Sequence, residues 1–117
     1  LGMFRGSWIA DYPDAENYMS CFYSAYKAPN GPNYTRYESR NYDLLFQKVA
    51  YGVVMNKNQN TQRQNQARLA NDLLRDEAPI LVLYYDKSLR LSQKNVIGLG
   101  NDPINRLDLR KVRKLKN

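Results

Sequence analysis

Histidine is absent from the sequence, and cysteine occurs once, as Cys21. The lack of histidine removes the commonest general base and the commonest metal ligand of proteins. A lone cysteine cannot form an internal disulfide, and without a CxxC pair or a histidine a zinc site is not expected. Ser-His-Asp and Cys-His mechanisms are therefore excluded within the chain, and no P-loop or nucleophile-elbow motif is present. We predict a protein that is not an enzyme and that uses no cofactor and no metal.

Long hydrophobic runs are missing as well. The longest apolar stretch, Ile80 to Tyr85, is far shorter than the roughly 20 residues that cross a bilayer as a helix. The sequence starts at Leu1, and no basic segment precedes an apolar one, so no signal peptide is visible. Apolar residues make up 43% of the 117 residues, which is typical of a globular chain with one modest core.

Positive charge is in excess, with a formal net charge of +7. Much of it lies in the last dozen residues, at Arg106, Arg110, Lys111, Arg113, Lys114 and Lys116. A basic end can bind nucleic acid or an anionic membrane surface. This one contains no aromatic residue on which a base could stack, so a solvated terminal strand or tail is the favoured interpretation. A nucleic-acid or anionic-surface module is kept as the alternative function.

Apolar periodicity and capping residues predict helices interleaved with strands. The mostly apolar Leu1–Ala10 is typical of a buried strand. Asp14 follows a turn and can cap a helix over Ala15–Tyr23. Residues Ser24–Ser39 form a long loop, and its three tyrosines indicate more than a simple linker.

The second half of the chain continues this pattern. Asn41 can cap a helix that runs to about Val54, and Thr61 with Gln64 forms a capping box for a third helix, which Pro79 stops. The elements that follow are a buried strand at Ile80–Tyr85, a loop at Val96–Asn105 and a final strand within Leu107–Leu115. We therefore predict an α/β, or mixed α+β, fold with three helices packed on a small sheet built around the first strand and Ile80–Tyr85.

Three segments resemble one protein family, in the same order. GSWIADYPDAENY at residues 6–18 resembles the W-x-x-D-Y-P-D-x-x-N-aromatic segment of oligopeptide- and dipeptide-binding proteins. NYTRYESRNYDLL at residues 33–45 is similar to their N-Y-x-x-Y…aromatic-D-x-L stretch. LLRDEAPILVLYY at residues 73–85 is similar to their L-L-x-x-E-A-P-I-x-x-L-Y-Y stretch, and Val96 with Gly98 matches the V-x-G that follows. On these residues the chain resembles family 5 of the bacterial extracellular solute-binding proteins.

The resemblance implies a two-lobed fold of the type II periplasmic-binding-protein class, with a peptide buried in the cleft between the lobes. This chain would be a C-terminal fragment, with residues 1–95 in the second lobe and residues 96–117 returning towards the first. The implied function is capture of oligopeptides or dipeptides for an ABC importer, with the permease subunits as partners and no role for nucleic acid. The implied location is periplasmic or extracytoplasmic, with a lipoprotein anchor. Relatives of this architecture also carry nickel, haem or sugars, and peptide is the favoured class. Apolar surface left bare by the missing lobe would favour self-association.

The same resemblance assigns candidate ligand-binding residues. Asp11 would pair with the α-amino group of the peptide, because an ammonium group in a closed cleft needs a carboxylate partner. The other candidates are Trp8, Ile9, Tyr34 and Tyr85. Without the resemblance, Asp11 is a turn residue beside a proline and Trp8 is more often a core residue. Tyr85 and its neighbour in the predicted strand point to opposite faces, so one of the two can face a cleft.

Overall fold

The computed structural model describes residues 2–87, 89–102 and 106–116. The chain divides into two compact units, Leu1–Val82 and Leu83–Asn117, which we call the helical unit and the C-terminal unit. The described helices lie in the helical unit, and the described strands lie in the C-terminal unit. The predicted mixture of three helices and a small sheet is therefore confirmed at this coarse level.

The first helix, α1, is short and spans Ala15–Met19. As predicted, Asp14 caps it, and its carboxylate accepts a hydrogen bond of 2.8 Å from the backbone N–H of Glu16. The helix was predicted to reach Tyr23, but it tightens into a 3₁₀ turn over Ser20–Phe22. The hydroxyl of Ser20 donates to the carbonyl of Asn17 at 2.7 Å, and such side-chain bonds compete with the helical ladder.

The second and third helices, α2 and α3, span Arg40–Tyr51 and Lys57–Glu77. Both start earlier than predicted. Ser39 and Asn56 have extended backbones, and their side chains accept from the N–H groups of Tyr42 and Gln59, so these two residues are the caps. The predicted caps, Asn41 and Thr61, lie inside the helices. Helix α3 ends where predicted, because Ala78 adopts a left-handed conformation just before Pro79.

The core of the helical unit lies where α2 packs on α3. Its buried members are Met19, Tyr42, Phe46, Val49 and Ala70. The ring of Phe46 stacks on Tyr23 with a centroid separation of 4.4 Å, and Tyr26 and Tyr51 meet it edge-on. The hydroxyl of Tyr42 donates to the backbone carbonyl of Met19 at 2.9 Å, which joins α2 to the end of α1. Burial raises the pKa of Tyr42, so this phenol stays protonated and keeps its donor role.

An arginine of α3 connects the three helices. The guanidinium of Arg63 lies 2.6 Å from the carboxylate of Asp14 at the start of α1. Its Nε donates to the carbonyl of Val49, in the last turn of α2, at 2.8 Å. The hydrogen bond from Arg63 holds the pKa of the Asp14 carboxyl below its usual range, against the opposing effect of desolvation. One partly buried ion pair thus fixes the start of α1 against the other two helices.

This pair makes the helical unit sensitive to acid. A carboxyl with a lowered pKa in the folded state stabilises the fold above its unfolded-state pKa, and the contribution is lost as the pH falls towards the folded-state pKa. We expect Arg63→Gln to lower the free energy of unfolding by about 1–2 kcal/mol at neutral pH. The difference in unfolding free energy between wild type and variant should become smaller below about pH 4, where Asp14 protonates in the unfolded chain.

The measurement is urea unfolding of wild type and variant at a series of pH values. Arg75→Gln is the matched control, because Arg75 pairs with Asp72 on the exposed face of α3 and such surface pairs contribute about 0–1 kcal/mol. The Arg63–Asp14 pair would be contradicted if the difference in unfolding free energy between wild type and Arg63→Gln stayed constant from neutral pH down to about pH 2.

The sheet consists of two short antiparallel strands, β1 at Val96–Ile97 and β2 at Arg113–Lys114. Strand β2 confirms only two residues of the strand predicted within Leu107–Leu115, and β1 lies where a loop was predicted. Gly98 follows β1 with a φ of 81°, and a Cβ there would stand 2.0 Å from the carbonyl oxygen of Lys111. Pro103–Asn105, the end of the predicted loop, lie outside the described residues.

Two predicted strands are wrong. Residues 2–10 and Ile80–Tyr85 run without assigned secondary structure, and all of their side chains except that of Ala10 are exposed. Leu1 lies outside the described residues. A strand needs a neighbouring strand to form its ladder, and the sheet of the described residues consists of β1 and β2 alone. The helices are thus not packed on a sheet built from these segments.

Of the helices in the described ranges, none is both long enough and apolar enough to cross a membrane.

Candidate functional site

The segment from Trp8 to Asp11 is held against α1 by one buried side chain. Asn17 is 5% exposed. Its amide oxygen accepts from the indole Nε1 of Trp8 at 2.9 Å and from the backbone N–H of Asp11 at 3.3 Å. Its amide nitrogen donates to the Asp11 carboxylate across a long 3.5 Å. One asparagine therefore contacts both the aromatic and the acidic candidate.

The candidate side chains of this segment are open to solvent. The carboxylate of Asp11 is exposed, as is Ile9, while Trp8 keeps 37% of its surface exposed and Ala10 between them is buried. A carboxylate beside an indole offers two kinds of attraction to an organic cation, an ion pair and a cation–π contact. The segment is suited to binding an ammonium group.

Tyr34 lies on a separate loop that another buried asparagine organises. Asn33 is fully buried, and its amide nitrogen donates to the carbonyls of Tyr23 and Tyr37 at 3.1 and 2.9 Å. Its amide oxygen accepts from the hydroxyl of Thr35 and from the N–H of Tyr37. These bonds satisfy the amide completely, and they leave Tyr34 projecting from the loop with an exposed ring.

The other two tyrosines of the loop pack instead of projecting. The hydroxyl of Tyr37 donates to the carboxylate of Glu77 at 2.6 Å, and burial with this bond raises the pKa of Tyr37 to about 12. Tyr26 shares a hydrogen bond of 3.1 Å with the hydroxyl of Tyr51. That bond, with a smaller effect of desolvation, raises the pKa of Tyr26 to about 12. For these two, loop packing is the role that the contacts support.

Tyr85, the last candidate, belongs to the C-terminal unit and is 86% exposed. The structure thus groups Trp8, Ile9 and Asp11 on one segment and places Tyr34 on a second loop of the helical unit. The C-terminal unit also carries nine lysines and arginines against three aspartates, which is six of the seven net positive charges of the chain.

Little else in the described residues suggests reactive chemistry. No group of three or more acidic, cysteine or histidine side chains capable of holding a metal ion lies within those ranges. Cys21 is half-buried, and desolvation raises the pKa of its thiol to about 11. Such a thiol is protonated at neutral pH and is a poor nucleophile.

The sequence contained Asn17 and Asn33 within recognisable motifs, but reasoning from residue types did not assign a role to either. The usable signal for Asn17 was its position inside a helix, where asparagine is disfavoured unless its side chain has a specific partner. The usable signal for Asn33 was the turn-forming composition of the residues around this asparagine.

Comparison with known proteins shows a similarity to a bacterial binding protein. The chain is 26% identical over 106 residues to the dipeptide-binding protein DppE of Bacillus subtilis strain 168, an alignment that covers 91% of this chain and 18% of that protein. The chain thus spans about a fifth of the length of this curated relative. No family model matches the chain, and no solved structure matches it. Over most of its length, the sequence is therefore similar to part of a peptide-binding protein.

Proposed function

We propose that this chain forms part of an extracytoplasmic peptide-binding protein that captures oligopeptides or dipeptides for an ABC importer. The observation that carries the proposal is the similarity to a dipeptide-binding protein over 91% of the chain. The partners would be the peptide and the permease subunits of the importer. The protein would act at the outer face of the membrane, held there as a lipoprotein, and it would catalyse no reaction.

The geometry around Asp11 supports the same function. A peptide with a free N-terminus carries an ammonium group, and burying that charge without a partner costs several kcal/mol. The exposed Asp11 carboxylate, the adjacent Trp8 ring and the side chain of Ile9 would together bind the ammonium group and the first residue of the peptide. Tyr34, on the second loop of the helical unit, would contribute a further aromatic contact, and Tyr85 is a separate candidate that the resemblance assigns.

The exposed apolar segments support a larger architecture. Residues 2–9 and 80–85 carry apolar side chains in solvent, which is unusual for the surface of a globular protein. In the proposed architecture, residues 1–95 belong to the second lobe and residues 96–117 return towards the first lobe. Other parts of the protein would cover these segments, and the chain by itself would self-associate.

A binding experiment tests this proposal. The polypeptide encoded by the whole open reading frame is titrated calorimetrically with peptides of two to five residues that have free N-termini. We expect saturable binding with one peptide per protein and little dependence on salt. If none of the peptides of two to five residues binds, the proposal is overturned.

The charge of the C-terminal unit favours the second candidate, a module for nucleic acid or an anionic surface. Its six net positive charges would give binding that falls by about a thousandfold or more when salt rises from about 50 to about 200 mM. The same protein is therefore titrated with a DNA duplex and with anionic vesicles at both salt concentrations. Steeply salt-dependent binding to either, without peptide binding, would favour this second function.

A further inference from the structure

Asn17 stands out because its side chain is buried beneath a surface segment. In a helix, asparagine is less favourable than alanine, because its amide competes with the backbone for hydrogen bonds. Here the hydrogen bonds of the amide run to residues that precede α1. It reaches out of the helix to the indole of Trp8 and to the backbone of Asp11.

The amide oxygen of Asn17 can accept two hydrogen bonds, and the Trp8 indole and the Asp11 N–H supply two donors. An amide oxygen has two lone pairs, and both are used, one by the Trp8 indole at 2.9 Å and one by the Asp11 N–H at 3.3 Å. The two donors come from the two ends of a four-residue segment, so one acceptor fixes the aromatic ring and the acidic residue relative to each other. The amide N–H contacts one carboxylate oxygen of Asp11 at 3.5 Å, which favours one rotamer of that side chain.

We infer that Asn17 is a positioning residue for ligand capture, which holds the indole of Trp8 and the carboxylate of Asp11 in the arrangement that receives an ammonium group. This inference rests on the proposed function. Pre-organisation of this kind strengthens binding because the ligand does not have to order the two side chains when it binds.

The chemistry of the amide distinguishes this role from simple packing. Leucine at position 17 would keep most of the volume but would leave two donors without an acceptor. Aspartate would keep the acceptor and strengthen its bond to the indole, because hydrogen bonds to a charged oxygen are shorter and stronger. It would also replace the N–H that contacts Asp11 with an oxygen that repels the Asp11 carboxylate, so this variant is read at the indole alone. A merely structural role predicts that both variants disturb Trp8 in the same way, whereas the positioning role predicts opposite effects.

Trp8 is the single tryptophan of the chain, and it therefore reports on this bond directly. The indole N–H resonance is recorded in ¹⁵N-labelled protein. We expect an upfield shift in Asn17→Leu, a downfield shift in Asn17→Asp, and no change in Asn71→Leu, a control at an exposed position of α3. An indole resonance that stays at the wild-type position in Asn17→Leu overturns the inference.

Unfolding of the Asn17→Leu variant would also move the indole resonance, so a second measurement uses the wild-type protein. The indole N–H should exchange with solvent deuterium at least about tenfold more slowly than in free tryptophan, because it is hydrogen-bonded and partly shielded. Equal exchange rates overturn the inference without any variant.

Peptide affinity completes the test, with the polypeptide of the whole open reading frame. We expect Asn17→Leu to weaken binding of a free-amine peptide about tenfold to a hundredfold and Asn71→Leu to leave it unchanged. An indole resonance that moves while affinity stays at the wild-type value overturns the functional role of Asn17. If wild-type protein binds no peptide, the proposed function fails, and the NMR result still decides whether Asn17 positions Trp8.

Discussion

Replacing Asp11 with asparagine is expected to weaken the binding of a free-amine peptide by about 30-fold to several thousandfold, or roughly 2–5 kcal/mol. The reason is electrostatic. A closed cleft excludes water, so an ammonium group that loses its carboxylate partner is left desolvated and unpaired. The measurement is calorimetry on the polypeptide of the whole open reading frame, with wild type and variant side by side.

A double-mutant cycle sharpens this prediction. Acetylating the amine of the peptide should weaken binding to wild type about as much as Asp11→Asn does, and the two changes together should not add, because both break one pair. Asp76→Asn, at an exposed position of α3, is the control and should change affinity less than about twofold. If the Asp11→Asn protein binds free-amine peptides as tightly as wild type, the ligand role of Asp11 is wrong and Asp11 is only a turn residue.

Truncating Phe46 to alanine should cost the helical unit about 3–5 kcal/mol of stability. Phe46 is a fully buried residue of α2 whose ring packs against three tyrosine rings, so alanine at this position leaves a cavity among them. Domains of this size have total stabilities of about 5–15 kcal/mol. The loss is therefore a large part of the whole.

Urea unfolding followed by circular dichroism measures this effect. The control is Leu44→Ala, because Leu44 lies on the same helix with half of its surface exposed and should cost less than about 1 kcal/mol. Equal losses in the two variants would mean that Phe46 is not part of a packed core. The same conclusion, that Phe46 is not part of a packed core, would follow if Phe46→Ala unfolded at the same urea concentration as the wild type.

Helices were easier to predict than strands, and the reason is local. The apolar spacing of Leu45, Val49 and their neighbours specifies a helix through contacts within a few residues of each other. The cap of α2 was predicted at Asn41 and lies at Ser39, because both residue types cap helices well and only the backbone geometry selects between them. A strand depends on a partner strand that is distant in sequence, and Ile80–Tyr85 is not part of the two-stranded sheet that the described residues form.

By itself, the sequence determined that this chain has no histidine-based mechanism, and it predicted which segments form helices and which motifs contain the candidate ligand residues. Those properties follow from residue types and from short-range spacing. Tertiary structure decided that Asn17 joins Trp8 to Asp11 and that Arg63 pairs with Asp14 across 49 positions of the chain. Hydrogen bonds and ion pairs of this kind depend on distances of about 3 Å between groups. The packing of α3 against the start of α1 brings Arg63 to Asp14, and the folding of the preceding segment onto α1 brings Trp8 and Asp11 to Asn17.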